Sequence, residues 1–158
     1  VPLVGREGQA SLSQLTAAIG AYAGTCKFSI ELNCASAAVP GWASTFLAAC
    51  GVGGSALVYT PDSRPPEASS STAKTITIGA YVDGKKKMLH GCMGNAVFRF
   101  RAGQPVMIDF EFKGIWNAVS DVALLAPTYP TTAPLRFISS SLAIGSVNPI
   151  VGELTFDL

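Results

Sequence analysis

The stretch from Gly94 to Lys113 constrains the fold more than any other part of the chain, because it alternates apolar and polar residues on both sides of a turn. Ala96, Phe98 and Phe100 fall on one face, and Val97, Arg99 and Arg101 on the other. Ala102-Gly103-Gln104-Pro105 interrupts the pattern, which resumes with Val106, Ile108, Phe110 and Phe112 against Met107, Asp109, Glu111 and Lys113. A period of two belongs to a strand with one buried face, so the segment reads as a β-hairpin whose phenylalanines share a core face. Keeping like faces together sets odd residues opposite odd ones, which a three- or five-residue loop satisfies. The five-residue loop sets Arg99 opposite Asp109 and Val97 opposite Glu111, with Arg101 diagonal to Asp109; such pairs contribute ~0.2–1 kcal/mol each. These charges make a hydrophilic sheet face rather than a catalytic cluster.

The same period recurs elsewhere. Cys26, Phe28, Ile30 and Leu32 alternate with Thr25, Lys27, Ser29 and Glu31. Ile76, Ile78, Ala80 and Val82 alternate with Thr75, Thr77 and Tyr81, and lead into Asp83-Gly84, a hairpin turn signal. Lys85-Lys86-Lys87 then starts a return strand; three lysines suit a solvated sheet edge better than a nucleic-acid site. Further strands are expected near Ala56–Tyr59, over Leu135–Ile144 and over Glu153–Leu158, with an extended Pro-punctuated connector from Val119 to Pro134. Ser11–Ala23 reads equally as a short helix or as a strand bent at Gly20.

Only residues 40–50 change period. Trp42, Phe46, Leu47 and Cys50 fall on one helical face, Pro40 opens the segment, and Gly51 stands where a left-handed cap belongs. One amphipathic helix of about three turns is expected, docked by Trp42 and Phe46. Seven to nine strands and one helix give a mainly β fold, a sandwich or barrel with one flanking α-helix. The run Pro61-Asp62-Ser63-Arg64-Pro65-Pro66-Glu67, continuing to Thr72, cannot build a core; it is either a loop that reaches a neighbouring subunit or a plain surface loop.

Composition narrows the function. At 158 residues one domain, 1–158, is expected, and the alternation that continues to Leu158 suggests that it is incomplete at one or both ends. Charged residues are 13% of the chain, against an average of ~25%. With 49% hydrophobic residues and a net charge of +1, this excludes charge-driven disorder and disfavours a dedicated nucleic-acid binder. No stretch reaches the length of a membrane span, so no membrane insertion is expected. The apolar surplus therefore points to burial against copies of the same chain.

Chemistry-bearing patterns are sparse. Cys26, Cys34, Cys50 and Cys92 lack metal-ligand spacing; Cys26 and Cys50 lie on apolar faces and read as buried thiols. His90 is the only histidine, with no nucleophile motif around it. Asp109 and Glu111 share a strand face, as a glycosidase pair would, but basic neighbours offer ordinary pairing. Gly51-Val52-Gly53-Gly54 follows a helix instead of opening one, so it lacks the context of a phosphate loop. No enzymatic activity, cofactor or metal is expected.

The order of segments carries a resemblance. Val39-Pro40-Gly41-Trp42-Ala43 with Ala49-Cys50-Gly51-Val52 is followed by Tyr59-Thr60-Pro61-Asp62-Ser63 and Tyr81-Val82-Asp83-Gly84. Leu89-His90-Gly91-Cys92-Met93-Gly94-Asn95 comes next, and Arg101-Ala102-Gly103-Gln104-Pro105 leads to Asp109-Phe110-Glu111-Phe112-Lys113-Gly114. Over roughly residues 24–121 this series resembles the tail tube proteins (major tail proteins) of long-tailed bacteriophages. The resemblance implies a β-sandwich or barrel with a flanking helix, joined to its copies in a ring, usually a hexamer. Rings stack into a tube, with other virion tail proteins as partners and DNA passing through the lumen without sequence recognition. It also implies assembly in the host cytoplasm and a place in the virion tail. Trp42, Phe46, Phe98, Phe100, Phe110 and Phe112 are then core anchors, and Pro61–Glu67 a subunit contact. The alternatives are a tail-completion, tail-tip or capsid-surface virion protein of the same fold, or a monomeric carbohydrate-binding β-sandwich module, for which Tyr59, Tyr81, Trp116 and Tyr129 are the available aromatics.

Overall fold

The computed structural model describes residues 3–4, 18–20, 22–33, 40–55, 58–62, 69, 73–129, 131–138 and 145–158. Within them lie β1 (Leu3–Val4), β2 (Ala18–Ile19), β3 (Ala23–Glu31), α1 (Ala43–Ala49), β4 (Val52–Ser55) and β5 (Val58–Pro61). They are followed by β6 (Ile76–Val82), β7 (Lys85–Arg101), β8 (Met107–Trp116), β9 (Ser120–Asp121) and β10 (Glu153–Asp157). The fold is mainly β with one flanking helix, as expected. The strands outnumber the expectation because β1, β2 and β9 are only two residues long.

The 17-residue β7 is the spine of the main sheet. On one side it pairs with β8 and, past the end of β8, with β9; on the other it pairs with β6 and β10. Along its whole length β3 pairs with β8. Four antiparallel columns result: β6 with β10, then β7, then β8 with β9, then β3. Strands β4 and β5 form a separate two-stranded sheet, as do β1 and β2.

Two local devices shape this sheet. Asp83 and Gly84 both take positive φ, 49° and 71°, and close the β6–β7 hairpin in a two-residue turn whose twist matches that of its strands. At Gly91, with φ 58°, the register slips by one residue between His90 and Met93. Such a bulge switches which residues face inward, so that Leu89 and Cys92, one odd and one even, are both buried.

The main hairpin takes the shorter of its two possible loops. Arg99 lies opposite Met107 and Val97 opposite Asp109, with Asn95 opposite Glu111. Odd residues still oppose odd residues, so the two faces are those read from sequence. Ion pairing shifts accordingly: Arg99 reaches Asp109 diagonally, and Arg101 turns instead to Glu153 on β10.

The core sits between this sheet and α1. Phe110, Phe112 and Ile108 are fully buried, and Phe46 packs its ring 5.4 Å from Phe110, 5.9 Å from Phe112 and 5.5 Å from Phe28. Trp42 meets Phe110 edge-on at 6.2 Å. Offset and edge-on rings at these separations add to the burial itself. Ala96, opposite Phe110, is fully buried because these rings leave room for little more than a methyl group.

Several expectations are corrected. The helix has seven residues rather than three turns; Pro40–Trp42 forms a turn closed by Ala43 N–H on the Pro40 carbonyl, and Gly51 at φ 76° ends the segment. Leu135–Phe137 does not form a strand: it lies against the hairpin loop, with Val106 donating to the Leu135 carbonyl and Phe137 to the Gln104 carbonyl around an isolated bridge between Pro105 and Arg136, while Leu135 donates to the Leu32 carbonyl; residues 139–144 lie outside the described residues. Ala80 and Val82 are exposed rather than inward, since the β6–β7 hairpin runs on past the end of β8. The short strand expected near Ala56–Tyr59 lies at Val58–Pro61.

Candidate subunit interface

Charged residues on the polar face of the main sheet pair with one another across the strands. Lys27 pairs with Glu111 at 2.7 Å, Arg99 with Asp109 at 2.6 Å and Arg101 with Glu153 at 2.9 Å. Ser29 donates to the other oxygen of Asp109 at 2.5 Å. The hydrogen bond from Lys27 is the main reason that the Glu111 carboxyl is held below its ordinary range. Asp109 and Glu111 are thus each engaged by a cation, as the sequence suggested, and Lys85 pairs with Asp121 near the hairpin tip.

The apolar face is covered over only part of its length. Where α1 lies, the rings are buried. Further along, Phe98, Phe100, Leu154 and Phe156 join Leu32, Trp42, Leu47 and Tyr59 around an open apolar cavity of about 540 Å³. Phe98 stacks on Phe100 at 6.4 Å, and Phe100 meets Phe137 at 5.6 Å. Of the expected core anchors, Trp42, Phe46, Phe110 and Phe112 therefore converge under the helix, whereas Phe98 and Phe100 line this opening.

Of the expected contact loop, Pro61 ends β5 opposite Val52, and Asp62 donates its N–H to the Gly51 carbonyl at 2.7 Å. Both are thereby tied to the end of α1. Ser63, Arg64, Pro65, Pro66 and Glu67 lie outside the described residues.

The main sheet has two outer sides that no strand pairs among the described residues: β3 on one, and β6 with β10 on the other. At β3, Leu32 donates to the Val106 carbonyl and Tyr22 accepts from Trp116, so even-numbered residues turn their backbone groups towards β8. Odd-numbered residues, including Thr25, Lys27, Ser29 and Glu31, turn theirs outward. At β10, Leu158 donates to Ala96 and Gly152 accepts from Ala102, which leaves Glu153, Thr155 and Asp157 turned outward.

Other chemistry-bearing groups are dispersed. Cys26, Cys50 and Cys92 are free thiols; burial pushes Cys50 up to about 12 and also raises Cys92. A raised value keeps the Cys50 and Cys92 thiols protonated at neutral pH; Cys34 lies outside the described residues. His90 sits between Thr77, 3.4 Å from Nδ1, and Asn117, 3.2 Å from Nε2. No three of the described His, Cys, Asp and Glu residues gather as metal ligands. The four candidate sugar-stacking aromatics do not share a face: Tyr59 lines the cavity, Lys86 lies over Tyr81, Trp116 ends β8, and Tyr129 is on the connector. No described helix is long and apolar enough to cross a membrane.

No family model, curated protein or solved structure matches this chain. The open edges are what sequence reasoning missed. Alternation marks a strand, whereas the position of that strand in the sheet depends on pairings that local pattern does not encode.

Proposed function

We propose that this chain is a structural virion subunit that assembles with copies of itself into rings, and that the rings stack as the tube of a phage tail. The observation that carries this reading is a sheet with two unpaired edges and an apolar face only partly covered. Both features leave groups that association would satisfy. The resemblance over residues 24–121 supplies the tail, with a hexameric ring, other tail proteins as neighbours and assembly in the host cytoplasm.

The same geometry suggests how the ring is oriented. Because α1 and the β4–β5 sheet lie on the apolar face, a closed ring has room for them outside, which turns the polar face to the lumen. Lys27, Arg99 and Arg101 are already paired on that face, so they give passing phosphates no free cationic row and no sequence readout. The test is electron microscopy of the purified protein over a concentration series, with mass by light scattering. Rings or tubes of uniform width are the expected result. A closed ring that never extends indicates a completion or tip protein, and a monomer at every concentration refutes self-assembly.

A further inference from the structure

The apolar cavity has the form of a ligand site. We infer that it holds the hydrocarbon chain of a free single-chain amphiphile, such as a medium-chain alkanoate, with the head group left in water at the open mouth. Such a site does not depend on self-assembly, because every residue that forms it belongs to one copy.

A volume of about 540 Å³ falls within the range of small-molecule pockets, roughly 300–1,000 Å³. Every lining side chain is aliphatic or aromatic, and Trp42 and Tyr59 alone carry a polar atom. A charged or strongly hydrated group placed there would lose its water without gaining partners, so the buried part of the occupant is uncharged. The site is also preformed. Its floor is laid by β7, β8 and β10, with α1 and the β4–β5 sheet beside it, and the Asp62 N–H on the Gly51 carbonyl fixes β5 to the end of α1.

Backbone pairing decides between a hydrocarbon and a polypeptide. Phe98 on β7 is flanked by Phe156 and Ile108, and Ile108 by Phe98 and Ile30, so the ladders of the floor are complete. Leu32 uses its N–H on Val106 and its carbonyl on Leu135, and Leu158 donates to Ala96. A peptide segment laid in the cavity would bury N–H and C=O groups with no partner in the floor, a cost that an alkyl chain does not carry.

The strands set the length. Leu154, Phe156 and Leu158 line the cavity at alternate positions, with Phe100 and Phe98 opposite the first two. Four residues of strand advance about 13 Å. An extended carbon chain advances roughly 1.2 Å per bond, so about ten carbons cover this floor.

The test is calorimetric titration of the full chain with hexanoate, octanoate, decanoate, dodecanoate and tetradecanoate, each below its micelle threshold. One decanoate per chain is expected, with affinity rising about fourfold per methylene up to decanoate and levelling off at dodecanoate, whose end leaves the cavity. In Trp116→Phe the only tryptophan is Trp42, and its emission is expected to shift to the blue as decanoate saturates. Leu154→Glu sets a charge in the cavity and Phe156→Trp takes up its volume, both at partly exposed positions. Each, with its fold checked by circular dichroism, is expected to weaken decanoate and uncharged decan-1-ol alike at least tenfold. Val82→Glu on the hairpin tip is expected to leave binding unchanged. No saturable binding by the parent, affinity that climbs through tetradecanoate, or binding untouched by both cavity variants overturns the site. A parent oligomer that takes up no decanoate and that Leu154→Glu reduces to a monomer assigns the cavity to a second copy, which overturns the ligand and leaves the ring reading standing. A parent that binds decanoate as a monomer at every concentration supports the ligand and removes the ring.

Discussion

Strands β7 and β8 carry the same local pattern, two phenylalanines separated by one polar residue, and end in different surroundings. Phe110 and Phe112 on β8 are 2% and 0% exposed under α1. Phe98 and Phe100 on β7 point to the same face of the same sheet, yet both are only half-buried beside the open cavity. Alternation therefore decides which face a residue joins, and the element laid on that face decides how deep it lies. Here Trp42 and Phe46 cover the β8 pair, and a seven-residue helix is too short to reach further.

The sharpest way to break this comparison is to truncate one ring from each pair. Phe110→Ala is expected to cost ~3–5 kcal/mol, because a cavity is left among rings that cannot close it. Phe98→Ala is expected to cost about 1–2 kcal/mol, in proportion to its partial burial. Urea unfolding of the unassembled protein measures both. Equal losses would mean that the cavity is filled in solution, and the contrast between the strands would disappear.

Glycine sets a second difference within the β7–β8 hairpin. A Cβ on Gly114 would lie 2.5 Å from the Cys92 sulfur and 2.8 Å from the His90 carbonyl, whereas one on Gly103 in the hairpin loop would meet nothing. Gly114→Ala is expected to destabilise by ~1–3 kcal/mol, since the crowding involves backbone next to the bulge. Gly103 has φ 77°, so Gly103→Ala tests conformation alone and is expected to cost about 1 kcal/mol. A Gly114→Ala variant as stable as the parent would show that the strands separate more easily there than their register implies.

How far the fold was legible follows from which of these features are local. The faces of the hairpin, the Asp83-Gly84 turn and the docking face of α1 are written in periods of two or 3.6 and in turn residues. The bulge at Gly91 was not legible, because it shows only as a parity change between Leu89 and Cys92, which reads equally as a break between two strands. Leu135–Phe137 alternates like a strand, but it lies against the hairpin loop around Pro105 rather than against another strand. The candidate interface was less legible still. Pro61–Glu67 stood out through composition, whereas the open edges of β3 and β10 follow from long-range pairings. The ion pairs were foreseen as a class, and their partners changed with a loop two residues shorter.

The polar face provides a milder test of the same contrast. Glu111 is held below its ordinary range chiefly by Lys27, so its ionised form is favoured by folding. A depressed folded value contributes stability above the ordinary glutamate range, and that contribution is lost as the pH falls through the folded value. Wild type is therefore expected to lose more stability between pH 7 and pH 3 than Lys27→Met, read as the shift in thermal midpoint. Identical acid profiles would show that the pair does not outlast solvent screening.

The smallest expected effect lies at the hairpin tip. Lys85 and Asp121 face each other across β7 and β9, with side chains 55% and 81% exposed. An ion pair so open to water and salt contributes little, and Asp121→Ala is expected to change stability by less than about 0.5 kcal/mol. The register at that point is set by the backbone instead, through the Val122 N–H on the Gly84 carbonyl and the Asn117 N–H on the Met88 carbonyl. A loss above 1 kcal/mol on Asp121→Ala, absent in high salt, would show that the charge pair and not the ladder fixes β9 to the spine. The tip would then count with the structured half of the sheet, and the distinction drawn between covered and uncovered regions would have to rest on the cavity alone.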